Sequence, residues 1–179
     1  QHINTYDKKH VNTAAQIEEA INSLDQKTTE YLVSISKKSL SGHDSKVHNI
    51  LLENIRDIER IGDHMENLIE LTEFIENNGA QLSEEAMQEL NGMLELVVET
   101  VSLAIQSLDK LDVEAAKQAL ANEDQIDDME RKLRKHHIKR LNEGTCTGSA
   151  GVIFVDIISN LERVGDHAAN IAESVIDLK

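Results

Sequence analysis

The sequence predicts an all-α protein, and three observations carry that expectation. Aromatic residues make up only 2% of the 179 positions, with no Pro and no Trp. Ala, Leu, Ile, Glu and Lys dominate, and these lose little on entering a helix. Turn-forming residues are gathered into a few short stretches, and between them apolar residues recur at helical period. Runs of Val, Thr, Tyr and Phe that would mark strands are absent.

The first helical segment covers about 12–41 and stops at Gly42 in LSGHDS. The second runs from about 46 to 77 and stops in NNGAQLS, 77–83. The third, 82–109, opens with Ser83 followed by Glu84 and Glu85, an N-cap with acids in the first turn. DKLD at 109–112 ends it, and Asp112 followed by Glu114 caps the fourth segment, 112–143. The Gly-rich run GTCTGSAG, 144–151, leads into the fifth, 149–178. Helices this long with short connections must fold back on one another as antiparallel bundles.

A repeat lies over this pattern. ERIGDHMEN at 59–67 returns as ERVGDHAAN at 162–170, a spacing of 103 residues. Over 54–75 against 157–178, eight of twenty-two positions are identical, and six of the eight are polar or charged. Core packing preserves apolar character and has little reason to repeat polar identities. Segment 46–77 thus corresponds to 149–178, and 12–41 to 112–143, whereas 82–109 has no counterpart before residue 12. The expected design is two tandem three-helix units, 1–79 and 80–179, the first lacking its opening helix. That gap and the start at Gln1 suggest an excised piece, with an apolar groove that an upstream segment would fill.

On a helical wheel, Val47, Leu51, Ile58, Ile61, Met65, Leu68, Ile69, Thr72 and Ile75 mark the core side of the second segment. Glu59, Asp63, Glu66 and Glu70 cluster beside it, and Glu162, Asp166 and Glu173 fall likewise in the later copy. Glu-x-x-x-Asp stacks two carboxylates one turn apart, which costs a helix a few tenths of a kcal/mol. The fourth segment adds Glu123-x-x-x-Asp127, followed by Glu130. Four carboxylates across two helices suit hard cations such as Mg, Ca, Mn or iron. Acids at this spacing are also the ordinary solvated face of a helix; their recurrence inside an eight-identity phrase favours the metal reading.

Other chemistries have less support. His64 and His167 sit on the wheel about 100° from the neighbouring Asp, so they read as interfacial polar groups, or as groups supporting the metal ligands from behind, rather than as ligands. No Glu has a His three residues later, which argues against ferritin-type di-iron chemistry. The formal charge of −15 argues against nucleic acid. No stretch approaches the roughly 20 apolar residues of a bilayer span, and no signal peptide is seen. No Gly-rich phosphate loop supports a nucleotide, and no organic cofactor is expected. Cys146 has no Cys partner for a disulfide, in keeping with a reducing compartment. The basic run RKLRKHHIKR, 131–140, complements a helix C-terminus, or alternatively approaches anionic lipid or a membrane partner.

IERIGDHMENLIE, 58–70, and LERVGDHAANIAE, 161–173, resemble the duplicated signature of PhoU-type proteins. The stretch from HHIKRLNEGTC, 136–146, to residue 179 resembles more closely the PhoU-like C-terminal domain of bacterial sodium/phosphate cotransporters. The resemblance implies six helices in two three-helix bundles, and multinuclear iron or zinc held by the acidic motifs. It also implies a regulatory, non-enzymatic part in phosphate transport. Carried over, the ligands are Glu123, Asp127, Glu162 and Asp166 in the second unit and Glu59, Asp63 and Asp25 in the first. There Asp25 aligns with Asp127, and Ile21 takes the place of Glu123, leaving that site a ligand short. The leading expectation is the cytoplasmic domain of a sodium-dependent phosphate cotransporter, working on a membrane transporter domain of the same or a separate chain. It would lie peripheral to, or tethered at, the inner membrane, with a homodimer as a further assembly. The alternatives are a free-standing PhoU-type negative regulator of an ABC phosphate importer, or a metal-free helical scaffold.

Overall fold

A computed structural model describes residues 8–78, 81–146 and 148–178. They form five α-helices: α1 Lys8–Ser36, α2 Gly42–Asn78, α3 Glu84–Lys110, α4 Val113–Asn142 and α5 Gly148–Leu178. No strand occurs among the described residues. The expected boundary between 79 and 80 falls outside them.

Local chemistry places the ends. The Ser83 side chain accepts from the Ala86 N–H at 3.2 Å and starts α3. Asp112 accepts from the N–H groups of Glu114 and Ala115 and starts α4. Those backbone bonds, that of Ala115 foremost, hold its carboxyl below the usual range. Between the two helices Leu111 adopts the left-handed conformation, φ 51°, and its N–H closes on the Ser107 carbonyl. This tight reversal lays α4 antiparallel on α3.

Gly42 does not break the chain as expected. The turn lies just before it, and the Ser41 hydroxyl oxygen accepts from the Asp44 N–H at 3.1 Å, so Gly42 enters the first turn of α2. Gly148 and Gly151 likewise lie within α5.

Helices α3, α4 and α5 all pack against one another, while α2 lies between α5 and α1. Among the described residues, α1 packs on α2 alone. Helix α5 has neighbours on three sides, and its Ile153, Phe154, Ile157, Ile158, Leu161 and Val164 fill the main core with Leu90, Met93 and Val97 of α3. By contrast Ile17, Leu24 and Tyr31 of α1 are 56%, 61% and 65% exposed. Of the α2 residues expected in the core, Leu68 is buried, but Leu51 is exposed and the rest are half-buried. The helix that would cover that side has no counterpart in the described residues.

Candidate metal centre

The site is set by how closely α4 approaches α5. A Cβ at Gly165 would stand 3.2 Å from Cδ1 and 3.3 Å from Cγ2 of Ile126, so the glycine lets Ile126 sit against the α5 backbone. Glu123 and Asp127 flank Ile126 on α4, and Glu162 and Asp166 flank Gly165 on α5. Helix contact at the Ile–Gly pair brings these acids together. Glu123, Asp127 and Asp166 each offer a carboxylate oxygen within 4.8 Å of the others. Among the described residues no other group of three His, Cys, Asp or Glu side chains does so.

The electrostatics are those of crowded, half-buried anions. Burial, then the Asp127 charge, raises the Asp166 carboxyl above its ordinary range. Glu123 is raised by burial and by Asp127 and Asp166, and Glu162 by burial and by Asp166 and Asp127. Arg131 offsets part of the charge, 3.3 Å from Asp127 and 2.7 Å from Asp128. An all-oxygen donor set of this kind fits a hard divalent cation.

The first unit repeats the construction with a different membership. A Cβ at Gly62 would stand 3.4 Å from Ile21, so Ile21, not the residue at position 24, corresponds in space to Ile126. Ile21 precedes Gly62 by 41 positions, but Ile126 precedes Gly165 by 39. The expected pairing of Asp25 with Asp127, an offset of 102 residues, misses that difference, and the register is corrected to an offset of 105. Glu18 takes the place of Glu123, Asn22 that of Asp127, and Asp25 that of Glu130, one turn away. EEAIN, 18–22, against EDQID, 123–127, carried the signal. Burial and then Asp63 raise the Glu59 carboxyl, with Asp25 and Glu18 adding smaller effects and Arg60 opposing them. Arg60 lies 3.7 Å from both Glu59 and Asp63. Asn22, which donates to Glu18, leaves this cluster less anionic than the other.

His64 and His167 join the two units. Their rings stack with centroids 5.7 Å apart across the α2–α5 contact. His167 Nδ1 lies 2.8 Å from Asp57 Oδ1, which also accepts from Asn170 at 3.1 Å. In the reciprocal place, His64 Nδ1 lies 2.9 Å from Asn160 Oδ1, which accepts from Asn67 at 3.4 Å. This accounts for the repeated His and Asn of the signature as interfacial groups. Asp57 and Asn160 differ between the copies and so do not stand out as identities.

Part of the basic run is turned inward. Arg140 is 5% exposed; it donates to Glu89 at 2.8 Å and lies over the Phe154 ring at 4.9 Å. His137 is buried against Phe154, and burial, then Arg140, lowers its pKa. Arg134 donates to Glu130 and to Ser159.

The PhoU domain family matches residues 2–72 and 90–175. The Thermotoga maritima phosphate-specific transport system accessory protein PhoU homolog 1 is 33% identical over 126 residues, 70% of this chain and 53% of that protein. The chain thus spans about half the length of that relative. A Burkholderia sp. PhoU homolog with the same accessory-protein name is 25% identical over 181 residues, covering 97% of this chain and 74% of its own. The crystal structure of PhoU from Pseudomonas aeruginosa superposes with a TM-score of 0.89 at 22% identity, over 96% of this chain and 82% of that one. The chain belongs to the PhoU domain family.

Proposed function

We propose that this PhoU-family chain serves phosphate transport as a non-enzymatic accessory domain, acting at the cytoplasmic face by docking on a transporter. The observation that carries the reading is the match of the family across both repeats, with relatives named as accessory proteins of phosphate-specific transport. Those names favour a free-standing regulator of a phosphate importer over the cotransporter domain that the 136–146 stretch suggested. That ranking replaces the one drawn from sequence. The proposed tie to the bilayer is docking on a transporter; no helix among the described residues is long and apolar enough to cross a membrane.

The second-unit carboxylates fit the metal that the family likeness implies. Glu123, Asp127 and Asp166 would hold it, with Glu162 alongside, and the ion would supply positive charge that relieves their repulsion. Relief of that repulsion would tie α4 to α5 and steady the acidic face presented to a transporter. The first-unit cluster, with Asn22 in place of an acid, is proposed as the weaker site. Iron fits the oxygen donors by hardness; zinc also takes carboxylate oxygens but is more often completed by His or Cys.

Two measurements test the reading. Elemental analysis of protein purified without chelator should find iron, zinc or another divalent ion, lost in Glu162→Gln/Asp166→Asn. Equal, negligible metal in both would leave the metal-free scaffold. Disrupting the gene in its own host should alter phosphate uptake or phosphate-responsive expression; unchanged uptake and expression would remove the transport assignment.

A further inference from the structure

Charge is not evenly spread along α4. From Val113 to Glu130 the helix carries six acids against one base, Lys117. From Arg131 to Asn142 it carries three Arg, three Lys and no acid. Complement to the helix dipole accounts for Lys139 and Arg140 in the last turn, because that effect fades within a turn. Lys132 and Lys135 lie further back and need another account.

The three arginines are already engaged by the protein. Arg131 pairs with Asp127 and Asp128, Arg134 donates to Glu130 and Ser159, and Arg140 turns inward to Glu89, with Glu85 at 4.0 Å. The three lysines point the other way. Leu133, His137 and Arg140 mark the buried side of the helix, and Lys132, Lys135 and Lys139, spaced three and four apart, share the exposed one. Lys139 meets Glu143 at 3.9 Å, an exposed pair of little strength. Lys132 and Lys135 have no acid within ion-pair reach among the described residues. Ile138 stands among these lysines, 57% exposed, and Leu141 beside it is 39% exposed.

A single helix face offers no groove for a peptide. Lys in place of Arg also gives mobile point charges, not a fixed fork for one carboxylate. Cations around an exposed Ile suit a lipid surface, where the charges meet phosphates and the apolar side chain reaches between headgroups. The overall charge of −15 does not forbid this. Lys139 stands about 18 Å along the helix axis from Asp127, well beyond the Debye length of about 8 Å at physiological salt.

We propose that the exposed C-terminal half of α4 lies against an anionic lipid surface, with Lys132, Lys135 and Lys139 over the headgroup phosphates and Ile138 between them. Three lysines give a weak, reversible contact, one that orients the domain and does not anchor it. The contact goes beyond the phosphate-transport reading and needs no metal at the acidic motifs.

The test is sedimentation of the native-length protein with vesicles of purified lipid, at low salt and with chelator so that no divalent ion bridges acids to lipid. Vesicles of equal parts phosphatidylglycerol and phosphatidylcholine should carry the protein down, phosphatidylcholine alone should not, and added salt should release it. At about fivefold per lysine, Lys132→Glu/Lys135→Glu/Lys139→Glu should lower the partition coefficient by at least about a hundredfold. Lys27→Glu/Lys37→Glu/Lys38→Glu changes the net charge equally at exposed positions elsewhere, and should lower it far less. Both variants should keep the parent's thermal transition. No sedimentation with the anionic vesicles, equal sedimentation with the neutral ones, or equal losses in the two variants would overturn the proposal. So would binding to host membranes that protease treatment abolishes and purified lipid does not reproduce, since an acidic protein surface would then be the occupant.

Discussion

Gly62 and Gly165 occupy equivalent places in two helix pairs, and each receives an Ile from the helix opposite. Around Gly165 that contact is sealed by a third helix: Ile126, Ile158 and Leu161 are all 0% exposed. Around Gly62 it is open on one side, and Ile21, Ile55 and Ile58, the counterparts, are half-buried. Similar side chains in one architecture thus pack under different constraint, because burial depends on the whole bundle and not on the pair. Among the described residues, the second unit has the closed core and the first a two-helix face.

The strongest way to break this comparison is to truncate the same residue in both units. Ile158→Ala should cost about 2–5 kcal/mol, since the site is enclosed, and Ile55→Ala less than half of that. Equal losses in urea unfolding would mean that the first unit is as well packed as the second.

A smaller effect, of opposite sign in the two units, is expected at the glycines. Alanine at Gly62 meets Ile21 at ordinary contact distance, so the helix-propensity gain of up to about 1 kcal/mol should appear as added stability. Alanine at Gly165 presses on the enclosed Ile126, and overpacking of about 1–3 kcal/mol should outweigh that gain. Thermal melts of the two variants check the sign.

The smallest effect concerns charge. Folding raises the Glu123, Glu162 and Asp166 carboxyls, so the folded chain holds their protons more tightly than the unfolded chain does. Their burial as charged groups, and then their mutual repulsion, therefore weaken the fold at neutral pH. This contribution improves as pH falls through the raised range, and the gain is complete below the ordinary carboxylate range. His137, lowered by burial, acts the other way, losing stability as pH drops through the usual imidazole range. In the presence of chelator, Glu162→Gln/Asp166→Asn should raise the midpoint at pH 7 by a few degrees and flatten the carboxylate-range dependence. The equivalent Glu59→Gln/Asp63→Asn change should do less, because Asn22 already dilutes that cluster. A larger gain in the first unit would reverse this ranking of the sites.

Much of this was legible in the sequence for physical reasons that can be named. Ser83 and Asp112 announced their helices because capping is a local bond between neighbours. The acidic pairs were visible because helical spacing alone stacks them on a face. Gly42 misled, since glycine is tolerated in a first helical turn once Ser41 supplies the cap. The partner of Glu59 and Asp63 was misplaced by about one turn, because the lengths of the two hairpins differ and only packing against Gly62 exposes it. Arg140 and His137 lie in the run read as complementing a helix C-terminus or approaching anionic lipid, and nothing local reveals that Phe154 and Glu89 receive them. Asp57 and Asn160 stayed hidden because their common role is played by different residues.

That last pair has an evolutionary consequence. In an isologous interface between identical subunits, every substitution is made twice, so an Asp facing His on one side would face His on the other. Here the two halves of the α2–α5 contact are encoded separately. One has a charged acceptor in Asp57 and the other a neutral one in Asn160, around the same stacked imidazoles. Tandem encoding lets such a contact lose its symmetry one residue at a time, and the two polar junctions around a shared histidine stack can be tuned separately by mutation.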